Sequence, residues 1–300
     1  MAAMRKDQIR PRRSVLYMPG SNARALEKAK TILADALILD LEDAVAPDAK
    51  ETARDQVCAA VEAGGYGRRE IVIRVNGLDT PWGMDDIKAA AAAGPDAILV
   101  PKVNSGADVA RADAALSAAG AAPDVGLWAM METPLAMLQV QDIAAQAHGA
   151  KTRLTAWVMG TNDLAKELRA AHTPDRAPMM ASLGLCLLAA RAYGIAILDG
   201  VYNDLKNEAG FEAVCAQGRD MGFDGKTLIH PAQVAPCNRL FSPAPAEVAF
   251  SRQVMAAFGA PENAGKGVLQ VEGRMVELLH AEIAARTVAV ADAIAELEAS

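Results

Sequence analysis

Several short apolar runs in this 300-residue chain end in residues able to do chemistry. One run closes on Asp40-Leu41-Glu42-Asp43, another carries Arg74 and Asn76, and a third meets Pro101-Lys102. Further runs reach Glu132, Gly160-Thr161-Asn162-Asp163, Asp199-Gly200-Val201-Tyr202-Asn203 and His230-Pro231. Glu132 and Asp163 close successive runs. If those runs are neighbouring parallel strands, their carboxylates share one space, and two carboxylates with waters and substrate oxygens suit Mg²⁺, or Mn²⁺ in its place. The alternative is structural, with Asp163 capping a helix that starts at Leu164 and Glu132 paired to a nearby base. Arg74 lies inside Ile-Val-Ile-Arg-Val-Asn-Gly. A guanidinium in so apolar a run must face an anion, which is a substrate carboxylate, a developing oxyanion, or an internal partner such as Asp40 or Glu42. Asp40, Glu42 and Asp43 read equally well as partners of the metal and of Arg74 or as solvated rim charges. Met18-Pro19-Gly20-Ser21 opens a helix whose backbone N–H groups, with Arg24 and Lys28 one and two turns on, are suited to a phosphate or pantetheine arm; the plainer reading is a turn and helix cap. His230 serves equally as an acid/base or as a structural histidine.

The elements that would position these residues form a regular series. Strands are expected at Ser14–Met18, Ala36–Leu39, Ile71–Val75, Ala97–Val100, Gly126–Met131, Thr155–Met159, Ile195–Leu198 and Thr227–Ile229. Ala-rich stretches with helical spacing lie between them, at Ala23–Leu33, Asp48–Val61, Asp85–Ala93, Ala107–Leu116, Leu135–Ala147 and Ala177–Ala192. Strand–helix alternation with near-continuous apolar strands predicts a parallel sheet, and eight units predict an α/β fold of the (β/α)8 TIM-barrel type. Barrel enzymes carry their chemistry where the strands end, which is where the charged residues fall. The organisation expected is a barrel over residues 13–241 and a C-terminal helical capping extension over 242–300. Within the extension, Ala246–Phe258 and Met275–Leu297 read as helices on either side of a turn cluster at Pro261–Gly267.

Composition narrows the function. Apolar residues make up 52% and charged residues 22%, as in a globular protein. Aromatics are scarce at 4% and the net charge is −7, which disfavours a nucleic-acid partner but leaves room for a local anion pocket. The four cysteines, at 58, 186, 215 and 237, show no metal-ligand or CxxC spacing and read as apolar fillers in a reduced protein. Met1–Arg13 is basic without the apolar core of a targeting signal, and no run of 18 apolar residues occurs, so a cytoplasmic protein with no membrane partner is expected.

Seven strings, in order along the chain, resemble the citrate lyase beta-subunit-like, or malyl-CoA lyase, family. They are Ser14-Val-Leu-Tyr-Met-Pro-Gly-Ser, Leu39-Asp-Leu-Glu-Asp-Ala-Val-Ala-Pro, Arg74-Val-Asn-Gly, Pro101-Lys-Val, Met131-Glu-Thr-Pro, Gly160-Thr-Asn-Asp-Leu-Ala-Lys-Glu-Leu and Gly222-Phe-Asp-Gly-Lys-Thr-Leu-Ile-His-Pro. Within that family the strings look most like the bacterial (3S)-malyl-CoA thioesterase branch, which hydrolyses malyl-CoA to malate and CoA. Relatives cleave malyl-CoA, citramalyl-CoA or citryl thioesters between carbons.

The resemblance implies Mg²⁺ on Glu132 and Asp163, with Arg74 facing the thioester oxygen. It implies an acyl-CoA site drawing on Tyr17, Pro19, Gly20, Ser21, Arg24 and Lys28, with Lys102, Thr161 and Asn162 in the substrate-binding set. It further implies a homo-oligomer, trimer or hexamer, whose C-terminal segment caps a neighbouring active site. Asn22 stands where many lyase members have Arg, leaving Arg24 as the replacement. Glu277 stands where the lyases have an acid/base Asp, and the base for hydrolysis is then Glu277 of a neighbour, Glu42 or Asp43. Carbon–carbon cleavage to acetyl-CoA and a keto acid is the first alternative. A beta subunit active only inside a citrate lyase assembly, or a barrel that binds acyl-CoA without turnover, is the second.

Overall fold

The computed structural model describes residues 9–299, so most of the basic Met1–Arg13 stretch lies outside the described residues. Contacts divide the chain into two compact units, one of Arg12–Phe241 and one of the segment from Ser242 onward together with the described residues before Arg12. In the first, eight parallel strands close into a barrel in sequence order: β1 (Ser14–Pro19), β2 (Ala36–Asp40), β3 (Glu70–Arg74), β4 (Ala97–Val100), β5 (Gly126–Met131), β6 (Leu154–Met159), β7 (Ala196–Asp199) and β8 (Gly225–Leu228). Helices α1 (Ala23–Ala29), α2 (Lys50–Ala63), α3 (Gly83–Ala93), α4 (Gly106–Ala118), α5 (Pro134–Leu138), α6 (Val140–Ala144), α7 (Thr161–Leu168), α8 (Met180–Tyr193), α9 (Glu208–Met221) and α10 (Val234–Phe241) fill the connections. The architecture is the TIM barrel expected from the strand–helix alternation.

The period-2 pattern of the strands makes two cores. Val15, Ile38, Val72, Leu99, Trp128, Met130, Val158 and Leu198 form one cluster, filling the barrel. Their sequence neighbours, such as Leu16, Leu37, Leu39, Ile73, Ile98 and Trp157, belong to the cluster that packs the strands onto the helices. Because inward positions alternate, Tyr17, Asp40, Arg74 and Glu132 fall on the inward side at the strand ends. At the opposite end Arg12 closes the barrel: its guanidinium sits 5.1 Å from the Trp128 ring centroid and pairs with Glu70 at 2.6 Å.

Two readings need correction. The stretch Leu135–Ala147 is not one helix, because Gln139 departs from helical angles (φ −105°, ψ 14°) and separates α5 from α6. Ala136, Met137, Val140, Ile143 and Ala144 are all buried and still share one helical face, so periodicity cannot register the break. In the second unit, the helix α11 (Pro245–Gly259) is followed by an antiparallel hairpin, β9 (Val268–Val271) with β10 (Arg274–Glu277), before α12 (Leu278–Glu298). The expected helix from Met275 therefore starts at Leu278. The two-residue turn Glu272-Gly273 has positive φ at both positions (48° and 77°), the geometry favoured by strand twist, but Glu in the first position hides it from a search for Asn-Gly or Asp-Gly.

Between β7 and β8, the fully buried Asp199 takes Arg176 at 2.7 Å and its register partner, the fully buried Lys226, at 3.0 Å. Asp199→Asn leaves two cations with one neutral partner. Urea denaturation is expected to show a loss of about 3–5 kcal/mol, and a loss below about 1 kcal/mol would contradict this role.

Candidate active site

The site is built around Arg74, the last residue of β3. It is the register partner of Asp40, the last residue of β2, and both side chains point inward. Asp40 takes the Arg74 Nε and Nη2 groups in two parallel hydrogen bonds of 2.6 Å each. The same carboxylate receives the backbone N–H groups of Glu42 (2.9 Å) and Ala44 (3.0 Å), so it shapes the loop after β2 while it orients the guanidinium. On the other side the Tyr17 ring centroid lies 4.8 Å from the Arg74 Cζ. The internal ion pair anticipated for Arg74 is thus present, and it leaves the Nη1 edge directed at Glu42 (2.7 Å) and Asp43 (3.6 Å). The Glu42 contact is an ion pair but not a well-angled hydrogen bond, so Glu42 Oε2 is buried without a hydrogen-bond donor.

Burial raises the Glu42 carboxyl from its ordinary 4.5 to about 7; Arg74 opposes the shift, and Asp43, Glu132 and Asp40 add to it. Asp43, by contrast, is mostly exposed. Burial also raises the Tyr17 hydroxyl.

Glu132 follows β5, and Asp163 lies in the first turn of α7, which follows β6. They meet on one ammonium, with Lys102 Nζ 2.9 Å from Asp163 Oδ1 and 3.5 Å from Glu132 Oε1. The Lys102 backbone N–H also donates to Glu132 Oε1 at 2.7 Å, from a left-handed backbone (φ 55°) unusual for lysine. Glu132 Oε2 is buried with no partner. Gly160 leaves room for it, since a Cβ there would stand 2.6 Å from that oxygen. Burial raises the Glu132 carboxyl, and Lys102 opposes the rise. Two carboxylates converging on one cation, one of them with a second, buried oxygen left unpartnered, fit Mg²⁺ with waters and substrate completing the shell. Among the described residues no group of three His, Cys, Asp or Glu forms a larger ligand set. Asp163 does not cap α7: the cap position is Gly160, and Asp163 sits inside the helix.

The other expected residues are more scattered. The Gly20 N–H is spent on the Asp40 carbonyl (2.9 Å) and the Asn22 N–H on the Pro19 carbonyl (3.1 Å), so the turn offers an anion fewer donors than the sequence promised. Gly20 is instead a close-packing glycine, whose Cβ would meet the Asp40 carbonyl at 2.5 Å. Pro19 is half-buried; Ser21, Arg24 and Lys28 are exposed, with Asn22 capping α1 through the Ala25 N–H. Thr161 is buried, and Asn162 exchanges amide hydrogen bonds with Asn203. His230 is a cap, its Nδ1 accepting from the Ala232 N–H. Glu277, in the second unit, precedes α12, and its N–H donates to His280 Nδ1 at 2.9 Å.

Sequence reasoning missed two supports. The Lys50 ammonium, buried in the first turn of α2, donates to the carbonyls of Leu41 (2.8 Å) and Glu42 (2.7 Å). The fully buried Asp86 in α3 takes the Asn76 side chain (2.6 Å) and Arg54 (2.7 Å). Both look like ordinary first-turn helix residues, and no local pattern marks them.

The sequence and the fold have clear parallels. Residues 13–231 match the family model described as HpcH/HpaI aldolase/citrate lyase. The chain belongs to the HpcH/HpaI aldolase/citrate lyase family. A (3S)-malyl-CoA thioesterase of Cereibacter sphaeroides is 55% identical over 293 residues, 98% of this chain and 99% of that protein. The citrate lyase subunit beta of Escherichia coli is 36% identical over 92% of each chain. Among solved structures, the protein CitE from Mycobacterium tuberculosis, in complex with magnesium, acetoacetate and coenzyme A, is 27% identical with a TM-score of 0.71, covering 92% of this chain and 97% of its own. This member of the family also has, among the described residues, no helix long and apolar enough to cross a membrane.

The raised Glu42 carboxyl has a thermodynamic signature. Its proton is held more tightly folded than unfolded, so its contribution to stability is complete below about pH 4.5 and is lost as pH rises through about 7. In metal-free protein the unfolding free energy is expected to fall by about 3 kcal/mol more across that window in the wild type than in Glu42→Gln. Parallel pH profiles from urea melts would refute the assignment.

Proposed function

We propose that the chain is an Mg²⁺-dependent thioesterase that hydrolyses (3S)-malyl-CoA to malate and CoA. The observation that carries this reading is the 55% identity to a (3S)-malyl-CoA thioesterase over nearly the whole of both chains. The site geometry supports it. Glu132 and Asp163 would hold Mg²⁺, which supplies, when bound, a Lewis-acidic anchor for the hydroxyl and carboxylate oxygens of the malyl group. Arg74, fixed by Asp40 before any substrate arrives, turns toward the thioester carbonyl the Nη1 edge that Asp40 does not hold and stabilises the oxyanion that grows there. Glu42, ionising near neutrality beside that guanidinium, is the base best matched to deprotonating an attacking water; Asp43 is too solvated to share the task. Water adds to the carbonyl carbon as its proton passes to Glu42, the carbon–sulfur bond breaks, and the thiolate leaves to be reprotonated. Tyr17, Pro19, Ser21, Arg24, Lys28, Lys102, Thr161 and Asn162 remain the proposed contacts for the acyl-CoA.

The chain is further proposed to act as a homo-oligomer whose C-terminal unit reaches a neighbouring subunit, bringing Glu277 with it. The exposure of Met275, Leu278, Leu279 and Ile283 around that residue supports this. Carbon–carbon cleavage is the second reading, favoured by the 36% identity to a citrate lyase beta subunit. In it Arg74 stabilises an enolate instead, and the base removes the hydroxyl proton.

Incubating purified protein with (3S)-malyl-CoA and Mg²⁺ separates the readings. Free CoA and malate without glyoxylate are expected; acetyl-CoA with glyoxylate would establish the lyase, and no turnover of a CoA thioester would point to a non-autonomous subunit or a binding barrel. Arg74→Lys is expected to lower kcat by on the order of 10²-fold or more, and near wild-type turnover would remove Arg74 from the mechanism.

A further inference from the structure

Lys102 divides its two functions between backbone and side chain. Its N–H holds Glu132 Oε1 at 2.7 Å, and the left-handed backbone that aims this donor is tied by the Asn104 side chain to the Lys102 carbonyl at 3.1 Å. Its ammonium lies 2.9 Å from Asp163 Oδ1 and 3.5 Å from Glu132 Oε1, and it keeps the two carboxylates together by neutralising their repulsion. Glu132 is almost fully buried, whereas the Lys102 side chain is 40% exposed. The carboxylate is therefore fixed while the cation has a way out. Glu132 Oε2, buried and unpartnered, is left unsatisfied by the ammonium.

We propose that Lys102 is the resident counter-ion of this site, and that metal loading is an exchange in which a divalent cation displaces the Lys102 ammonium from between Glu132 and Asp163. The inference rests on reading these two carboxylates as the metal ligands. Both cations cannot sit on the same oxygens, because like charges at contact distance repel strongly even near a protein surface. When the ammonium leaves, the backbone N–H stays on Oε1, so Glu132 does not have to be reoriented. Without metal, Lys102 thus keeps Glu132 and Asp163 together at the expense of metal affinity, and its exposed ammonium would swing outward when a metal enters.

Two measurements on the full-length protein test the exchange. In the first, Mg²⁺ is titrated calorimetrically into metal-free wild type, Lys102→Met and Lys102→Gln, with thermal melts of the same samples. The variants are expected to bind Mg²⁺ about tenfold or more tightly than wild type and to melt lower without metal. In the second, wild type is labelled with acetic anhydride, with and without saturating Mg²⁺, and Lys102 modification is followed by mass spectrometry. A several-fold rise on adding Mg²⁺ is expected as the ammonium is released. Variants that bind Mg²⁺ no more tightly, or Lys102 labelling that stays level or falls with metal, would overturn the proposal. Glu132→Gln separates the two levels: if it titrates like wild type, the metal-site reading fails as well; if it loses binding while Lys102→Met is unchanged, only the exchange fails.

Discussion

The pair formed by Asp40 and Arg74 organises the rest of the site. A guanidinium placed on the inward face of a barrel strand would be strongly disfavoured without a partner, and removing one member of such a buried pair typically costs several kcal/mol. Asp40 answers that demand with both oxygens, then uses the same oxygens to receive two N–H groups of the loop that follows it. Its carbonyl anchors Gly20. One side chain and its peptide therefore connect three consecutive strand ends, and Glu42 occupies its position because the loop is folded onto Asp40.

Charge balance links this pair to the two carboxylates across the rim. Asp40, Glu42, Asp43, Glu132 and Asp163 face Arg74 and Lys102, an excess of acid concentrated in a chain that is acidic overall. Desolvation works against this excess of charge: the Glu42 and Glu132 carboxyls are both raised, chiefly by burial. A rim that is short of positive charge is also one prepared to accept it, which is the electrostatic counterpart of the unpartnered oxygen on Glu132.

Much of this was legible in the sequence because parallel barrel strands are simple signals. Runs such as Ala97–Val100 and Gly126–Met131 are apolar throughout, and the residue that ends each run is polar only where it reaches the rim. Arg74 and Glu132 are visible for that reason. The sequence is silent where contact depends on tertiary distance. Lys50 and Asp86 are ordinary residues in the first turns of their helices, and only the packing of α2 and α3 against the strand ends makes them supports. The Glu272-Gly273 turn was hidden differently, since its backbone does what Asn-Gly would do without that chemical signature. Gly20 misleads in the opposite sense: a glycine that seemed to free backbone donors is required by the close approach of the Asp40 peptide.

The Lys50 ammonium has a mechanical meaning. Because it belongs to α2 and holds the carbonyls of Leu41 and Glu42, it closes the ten residues from Leu41 to Lys50 into a ring sealed by hydrogen bonds. A loop closed in this way has already lost most of its conformational freedom during folding. Glu42 therefore does not have to be recruited from a mobile segment when substrate arrives, and the binding energy that would have ordered it is left for orienting the thioester.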